Sequence, residues 1–225
     1  MFSNNLLMAA AGGGPAGPAS AAWEGGEYST SSGTTWTKSD QWIGAASSDR
    51  VVVILTYSYV DTIGVTIGGN AMTELGQANL VESTLNMFAL AYPSGTTATF
   101  VVTSTSSTTM RAMHIYKLTG TGGSTTVSDI ATYAGPNAGG SQQIASVSLD
   151  VPENGTVIAA SFNQAYSSDG VWTGIDKDER INPTGNQFWE GASKDFESAS
   201  VGLNITRTWD TGQRVGMIAA AWGPP

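Results

Sequence analysis

From Trp23 onward the apolar positions of this chain gather into short β-branched runs, separated by Gly, Ser, Asn and Asp. Stretches such as "RVVVILTYSY", "TLNMFALAY", "TATFVVTST", "MRAMHIYKLTG", "GTVIAASFNQ", "SVGLNITRTW" and "RVGMIAAAWG" have strand length. No window of helical length carries a 3.6-residue period with caps. Turn chemistry falls between the runs: "IGGNAM" predicts a tight hairpin, and "PSGTT" and "PENGT" predict turns. Runs such as "VVVIL" and "MIAAAW" are apolar at consecutive positions, the pattern of strands covered on both faces. The pattern predicts an all-β protein.

The pattern also repeats. "SSDRVVVILTYSY" matches "PENGTVIAASFNQ", and the segment from "LNMFALAY" to "MHIYKL" matches that from "NQFWEGAS" to "MIAAAW". Upstream, "GEYST…TTWTKSDQWIGA" matches "IATYAG…QQIASVSLDV". Val51 aligns with Val157, Phe88 with Phe188 or Trp189, and Met113 with Met217, an offset of roughly a hundred residues. The pseudo-repeats span about 23–120 and 128–225. The junction "KLTGTGGSTTVSDI" reads as a loop with strand on either side, not an interdomain linker. Two copies can make two small sandwiches or one larger one in which each half supplies strands to both sheets; with no linker between the halves, a single sandwich over 23–225 is expected.

Composition narrows the class. Of 225 residues only 12% are charged, about half the usual share, while Gly reaches 28 and Trp, Tyr and Phe number 7, 7 and 6. A helical bundle needs charged wet faces, and a disordered chain needs few aromatics, so both are disfavoured. The net charge of -9 and the absence of Lys/Arg clusters argue against nucleic acid as a partner. With no Cys there is no disulfide and no thiolate chemistry, as suits folding in a reducing cytoplasm.

The opening "MFSNNLLMAAAGGGPAGPAS" has no Lys or Arg before Lys38, and its apolar run is too short to cross a bilayer. Neither a signal peptide nor a transmembrane segment is expected, although Ala9-Ala10-Ala11 resembles a cleavage site. Residues 1–22 read as an apolar tip on a flexible Gly/Pro/Ala linker. The tip is either an anchoring peg, carried by Phe2, Leu6, Leu7 and Met8, or a frayed terminus.

Candidate chemistry is sparse. The single His, His114, lies mid-strand with no signature Ser beside it, and reads as a packed or locally paired strand residue. One His and no Cys exclude a typical zinc site. In "GIDKDERINPTGN" the acidic residues Asp176, Asp178 and Glu179 suggest calcium, but Lys177 and Arg180 interrupt them, so a solvated loop is expected. Glu190 beside Trp189 and Asp195 beside Phe196 suggest a sugar-cleaving pair. Strand alternation, however, puts Trp189 and Glu190 on opposite faces. Trp172, in a loop-bounded segment, is the tryptophan expected to be exposed; with Asp176 and Asp178 it marks the place for a ligand loop. No cofactor and no enzymatic activity are expected.

Taken together, "SSDRVVVILTYSY…IGVTIGGNAMTELG…NMFALAYPSGTTATFVVTST…GMIAAAWGPP" and the "NNLLMAAAGG" opening resemble β-sandwich virion proteins of tailed bacteriophages. The resemblance lies in strand grammar and turns and transfers no active-site residue. It implies a jelly-roll-like β-sandwich with an extended N-terminal arm. It also implies a structural role on the virion, as a capsid decoration (cement) or head-fibre protein assembled in the host cytoplasm. The implied partners are the major capsid protein or a tail protein, and further copies of the chain, with a trimer the natural candidate. A tail-fibre or tail-tip component and a lectin-like carbohydrate-binding adhesin are the alternatives.

Overall fold

The computed structural model describes residues 17–80, 83–135, 143–164, 170–182, 187–210 and 214–225. These residues form an all-β structure of four antiparallel sheets and no helix. The first half of the chain contributes β1 (Ser20–Ser29), β2 (Gly33–Trp42), β3 (Val51–Ser58), β4 (Thr62–Ile67), β5 (Asn70–Ala71), β6 (Thr73–Leu80), β7 (Ser83–Ala91), β8 (Thr97–Thr108) and β9 (Arg111–Thr119). The second half contributes β10 (Asp129–Ala134), β11 (Ile144–Val151), β12 (Thr156–Gln164), β13 (Val171–Thr173), β14 (Asp176–Ile181), β15 (Gln187–Asp195), β16 (Ser200–Thr208) and β17 (Val215–Trp222).

Two five-stranded sheets, ordered β1-β9-β3-β7-β6 and β10-β17-β12-β15-β14, occupy the middle of the molecule. A four-stranded sheet, β2-β8-β4-β5, covers the first of them, and a three-stranded sheet, β11-β16-β13, covers the second. Three clusters of buried side chains fill the spaces between the layers. Val52, Ile54, Phe100 and Val102 lie between the first outer sheet and its inner neighbour. Leu55, Tyr57, Phe162, Trp189 and Trp222 lie between the two inner sheets. Val147, Val157, Ile205 and Met217 lie between the second inner sheet and its outer cover. At the centre, Tyr57 stacks on Phe162 at 4.1 Å and meets Trp189 edge-on at 4.4 Å, the geometries aromatic pairs prefer.

Among the described residues no sheet mixes strands from the two halves, so the single sandwich expected from the sequence is replaced by a stack of four layers. The physical reason is visible in β3 and β17, which are buried at every position. In a two-layer sandwich each strand keeps one wet face. A strand with no wet face needs a layer on both sides, and here each half supplies one cover while the other half supplies the second.

Local chemistry explains the connections. The "IGGN" hairpin joins β4 to β5 with Gly68 and Gly69 at φ 55° and 82°, values glycine adopts without strain. At "PENGT" the chain reverses through Asn154 (φ 55°), with the Gly155 amide donating to the Pro152 carbonyl. Met113 and Met217 both face the outer sheet of their own half. Val51 and Val157 do not match: Val51 faces the inner cluster, and it is Val52 that faces outward as Val157 does.

Two boundaries differ from the sequence reading. Residues 20–22, expected to be linker, already pair with Lys117–Thr119 in β1, where Asp195 also accepts from Ser20 and Ala21. Asp176–Ile181, expected to be a solvated loop, is edge strand β14 paired to β15, with an irregularity between Lys177 and Glu179. Charged residues and bulges on an edge strand protect it against pairing with foreign strands.

Candidate functional site

The predicted anchor residues Phe2, Leu6, Leu7 and Met8 lie outside the described residues. The described chain begins after them, and residues 19–21 are held in place. The Ala19 amide donates to the Asn154 carbonyl at 2.8 Å. Asp195, at the end of β15, accepts from the Ser20 hydroxyl (2.7 Å), the Ala21 amide (3.2 Å) and the Thr156 hydroxyl (2.6 Å). The carboxylate proposed above as half of a sugar-cleaving pair thus clamps the arm root onto the second half. Replacing Asp195 with alanine is expected to cost about 1–2 kcal/mol and to speed amide exchange at residues 19–21, read by hydrogen-exchange mass spectrometry. Unchanged exchange there would show that the clamp does not hold the root.

Trp172, Asp176 and Asp178 are not brought together. Trp172 on β13 is half-buried rather than exposed, and its indole N–H donates to Glu190 Oε2 at 3.0 Å. Asp176 projects into solvent with Lys194 at 3.9 Å. Asp178 faces the opposite side of the inner sheet, where it accepts from the Tyr116 hydroxyl at 2.9 Å. Burial raises the Asp178 carboxyl above its ordinary range, opposed by the hydrogen bonds from Ser193 and Tyr116. Among the described residues no group of His, Cys, Asp and Glu is arranged to hold a metal ion. The exposed indole belongs instead to Trp42, 49% accessible, whose N–H donates to Glu24 at 2.6 Å.

As alternation requires, Glu190 and Trp189 face opposite sides of β15. Trp189 enters the core between the inner sheets, while Glu190 points at the outer sheet and forms a buried two-pronged ion pair with Arg207. His114 is 3% exposed in the space between the inner sheets, and among the described residues neither ring nitrogen has a hydrogen-bond partner. Desolvation lowers its pKa to about 4, so the ring is neutral at neutral pH and packs as a core residue.

Three arginines are almost fully buried: Arg50, Arg111 and Arg207. Sequence reasoning passed over all three. The signal was present in strand parity, since Arg207 alternates in register with Ile205 and Trp209, and Arg111 with Met113 and Ile115. An arginine at an apolar position needs a partner of its own. Arg50 donates to the carbonyls of Tyr92, Gly44 and Ser94 at 2.7, 2.8 and 2.6 Å, tying the entry to β3 to the exit of β7. Arg207 is satisfied by Glu190 and by the Thr208 carbonyl. Arg111 donates only to the Thr35 carbonyl, at 3.3 Å, and lines an open groove of about 660 Å³ between the ends of β1 and β2.

No helix among the described residues is long and apolar enough to cross a membrane. No protein-family model, no curated protein and no solved structure matches this chain.

Proposed function

We propose that this chain is a non-enzymatic structural protein of a tailed-phage virion, a capsid decoration or head-fibre protein attached through its N-terminal arm. The observation that carries the reading is the arm root. Residues 19–21 are pinned to Asn154 and Asp195, joining the edge of one inner sheet to the other, so a tether leaving there would hold both halves of the stack to the surface it grips. We read each half as a jelly roll. The orders β1-β9-β3-β7 and β2-β8-β4-β5 form two interleaved Greek keys with β6 added at an edge, and the second half repeats the inner order. Jelly rolls build both viral capsid and lectin domains, so the fold class leaves two uses open and the arm favours the first.

The test is removal of residues 1–16, which leaves β1 and its clamp intact. The shortened protein is expected to melt at the same temperature as the full chain and to be missing from purified particles, with full-length protein visible on them by cryo-electron microscopy. Density on the head lattice supports decoration, and density at the tail moves the same anchor to a fibre or tip. Retention of the shortened chain on particles, or particles that never carry the protein, would overturn the reading.

A further inference from the structure

The contact between the two halves is built like one between two subunits. In the first half Tyr57 pairs with Leu85 on β7 and with Ala112 on β9; in the second, Phe162 pairs with Trp189 on β15 and with Gly216 on β17. Tyr57 and Phe162 therefore hold the same place in their sheets, and these are the two rings that stack on each other. The edge strands correspond as well. β6 meets β7 with an irregularity between Glu74 and Gly76, and β14 meets β15 with one between Lys177 and Glu179. β1 and β10 open the two sheet orders, and β6 and β14 close them. Across the middle plane β1 packs beside β14, and β6 beside β10. Each edge thus meets its partner reciprocally, as in a twofold dimer interface.

One short connection, residues 120–128, keeps this pairing within a single chain. It reverses in a tight turn, where the Ser124 amide donates to the Thr121 carbonyl at 3.1 Å. Gly122 and Gly123 sit inside that turn at φ 64° and 78°, successive left-handed positions that glycine takes without strain. A methyl group added at Gly123 would lie 3.8 Å from its nearest neighbour, so backbone conformation rather than packing sets this turn. Straightening the turn would carry the second half away from the first and uncover Leu55, Tyr57, Phe162, Trp189 and Trp222. The opposite half of a second copy offers those side chains the same contacts.

We propose that the halves exchange between copies of this chain, the first half of one closing on the second half of another. The product is a dimer of two complete stacks joined by two straightened connections. Every contact between halves is kept in it, so the balance lies with the connection. A short flexible connection holds its own partner half at an effective concentration of millimolar order. The single chain prevails in dilute solution, and exchange competes where copies are crowded to that level. This inference does not depend on where the protein is displayed.

The test holds the full chain at about 10 µM and at about 1 mM in urea just below its unfolding transition, returns it to buffer and sizes it by light scattering. Monomer is expected from the dilute sample and a substantial dimer from the concentrated one. That dimer should persist on dilution without urea, because separating it requires the inner faces to open. Gly123→Ala strains the closed turn alone and is expected to raise the ratio of dimer to monomer at least about fivefold. A protease site inserted after Ser124 identifies the contact. Cutting there turns an exchanged dimer into particles of single-stack size, whereas copies joined through their outer surfaces stay joined. The proposal fails if the chain is monomeric at both concentrations, if the dimer falls apart at once on dilution, or if the cut dimer keeps its size. It fails equally if folded Gly123→Ala leaves the ratio unchanged; should that variant not fold, the concentration series and the cut decide.

Discussion

Replacing Glu190 with glutamine is expected to lower the unfolding free energy by about 3–5 kcal/mol, the cost of leaving one member of a buried ion pair without its counter-charge. Glu190 and Arg207 are 1% and 0% exposed. Their pairing bridges the second inner sheet to its outer cover, β15 to β16. The carboxylate also accepts from the Trp172 indole, and the guanidinium lies 5.2 Å from the Trp209 ring and 5.8 Å from that of Trp172. Glutamine keeps the shape and loses the charge, so Arg207 would stay buried and desolvated with neutral acceptors alone. Arg207→Met should cost a similar amount by stranding the carboxylate. The paired change Glu190→Leu with Arg207→Met removes both charges and should be clearly more stable than either single variant, since burying two charges costs nearly what their attraction returns. Urea denaturation of the wild type, Glu190→Leu, Arg207→Met and the paired variant closes the cycle. Single-variant losses near zero, or additive losses in the pair, would show that the bridge is not coupled as the geometry implies.

How much of this was readable in advance depends on which neighbours a residue has. Alternation within one strand was legible: β11 alternates buried and accessible positions along "IASVSLDV". It also placed Trp189 and Glu190 on opposite faces. Turn chemistry was legible at "IGGN" and "PENGT" because glycine and asparagine there adopt φ values other residues avoid. The apolar runs in β3 and β17 correctly signalled strands covered on both sides, yet nothing in them tells which layer supplies the second cover. That choice depends on contacts between the halves, such as Tyr57 against Phe162, more than a hundred residues apart in sequence. The same limit hid the site chemistry. Arg207 at an apolar parity demanded a partner, but choosing Glu190 required knowing that β15 and β16 belong to facing sheets. Arg111 has no protein carboxylate to find, and only the placement of β2 beside the end of β1 shows that it lines a groove.

Acidification from pH 6.5 to pH 4 is expected to remove about 3 kcal/mol of stability through His114 alone. Its unfolded pKa is about 6.5, and in the folded protein burial lowers it to about 4. A group whose folded pKa is depressed is protonated first in the unfolded chain. Its contribution is therefore intact above pH 6.5, declines as pH falls, and is lost by pH 4; each pKa unit is worth about 1.4 kcal/mol. The geometry explains the size of the shift. His114 faces the space between the inner sheets beside Gly191, where an added methyl group would collide with the Tyr116 hydroxyl and touch the imidazole at 3.3 Å. At 3% exposure a charged ring would be stripped of its hydration, and among the described residues neither nitrogen has a partner to support one. Asp178, reached through Tyr116, titrates with the opposite sign: its raised carboxyl takes a proton more readily in the folded state, which favours folding as pH falls. The histidine contribution must therefore be isolated by difference. Urea midpoints of the wild type and His114→Leu, measured at intervals from pH 7.5 to pH 4, should diverge steadily, the variant losing about 3 kcal/mol less over the range. Parallel profiles would mean that the buried ring accepts a proton as readily as a free one, and that the inner sheets open to water at this point.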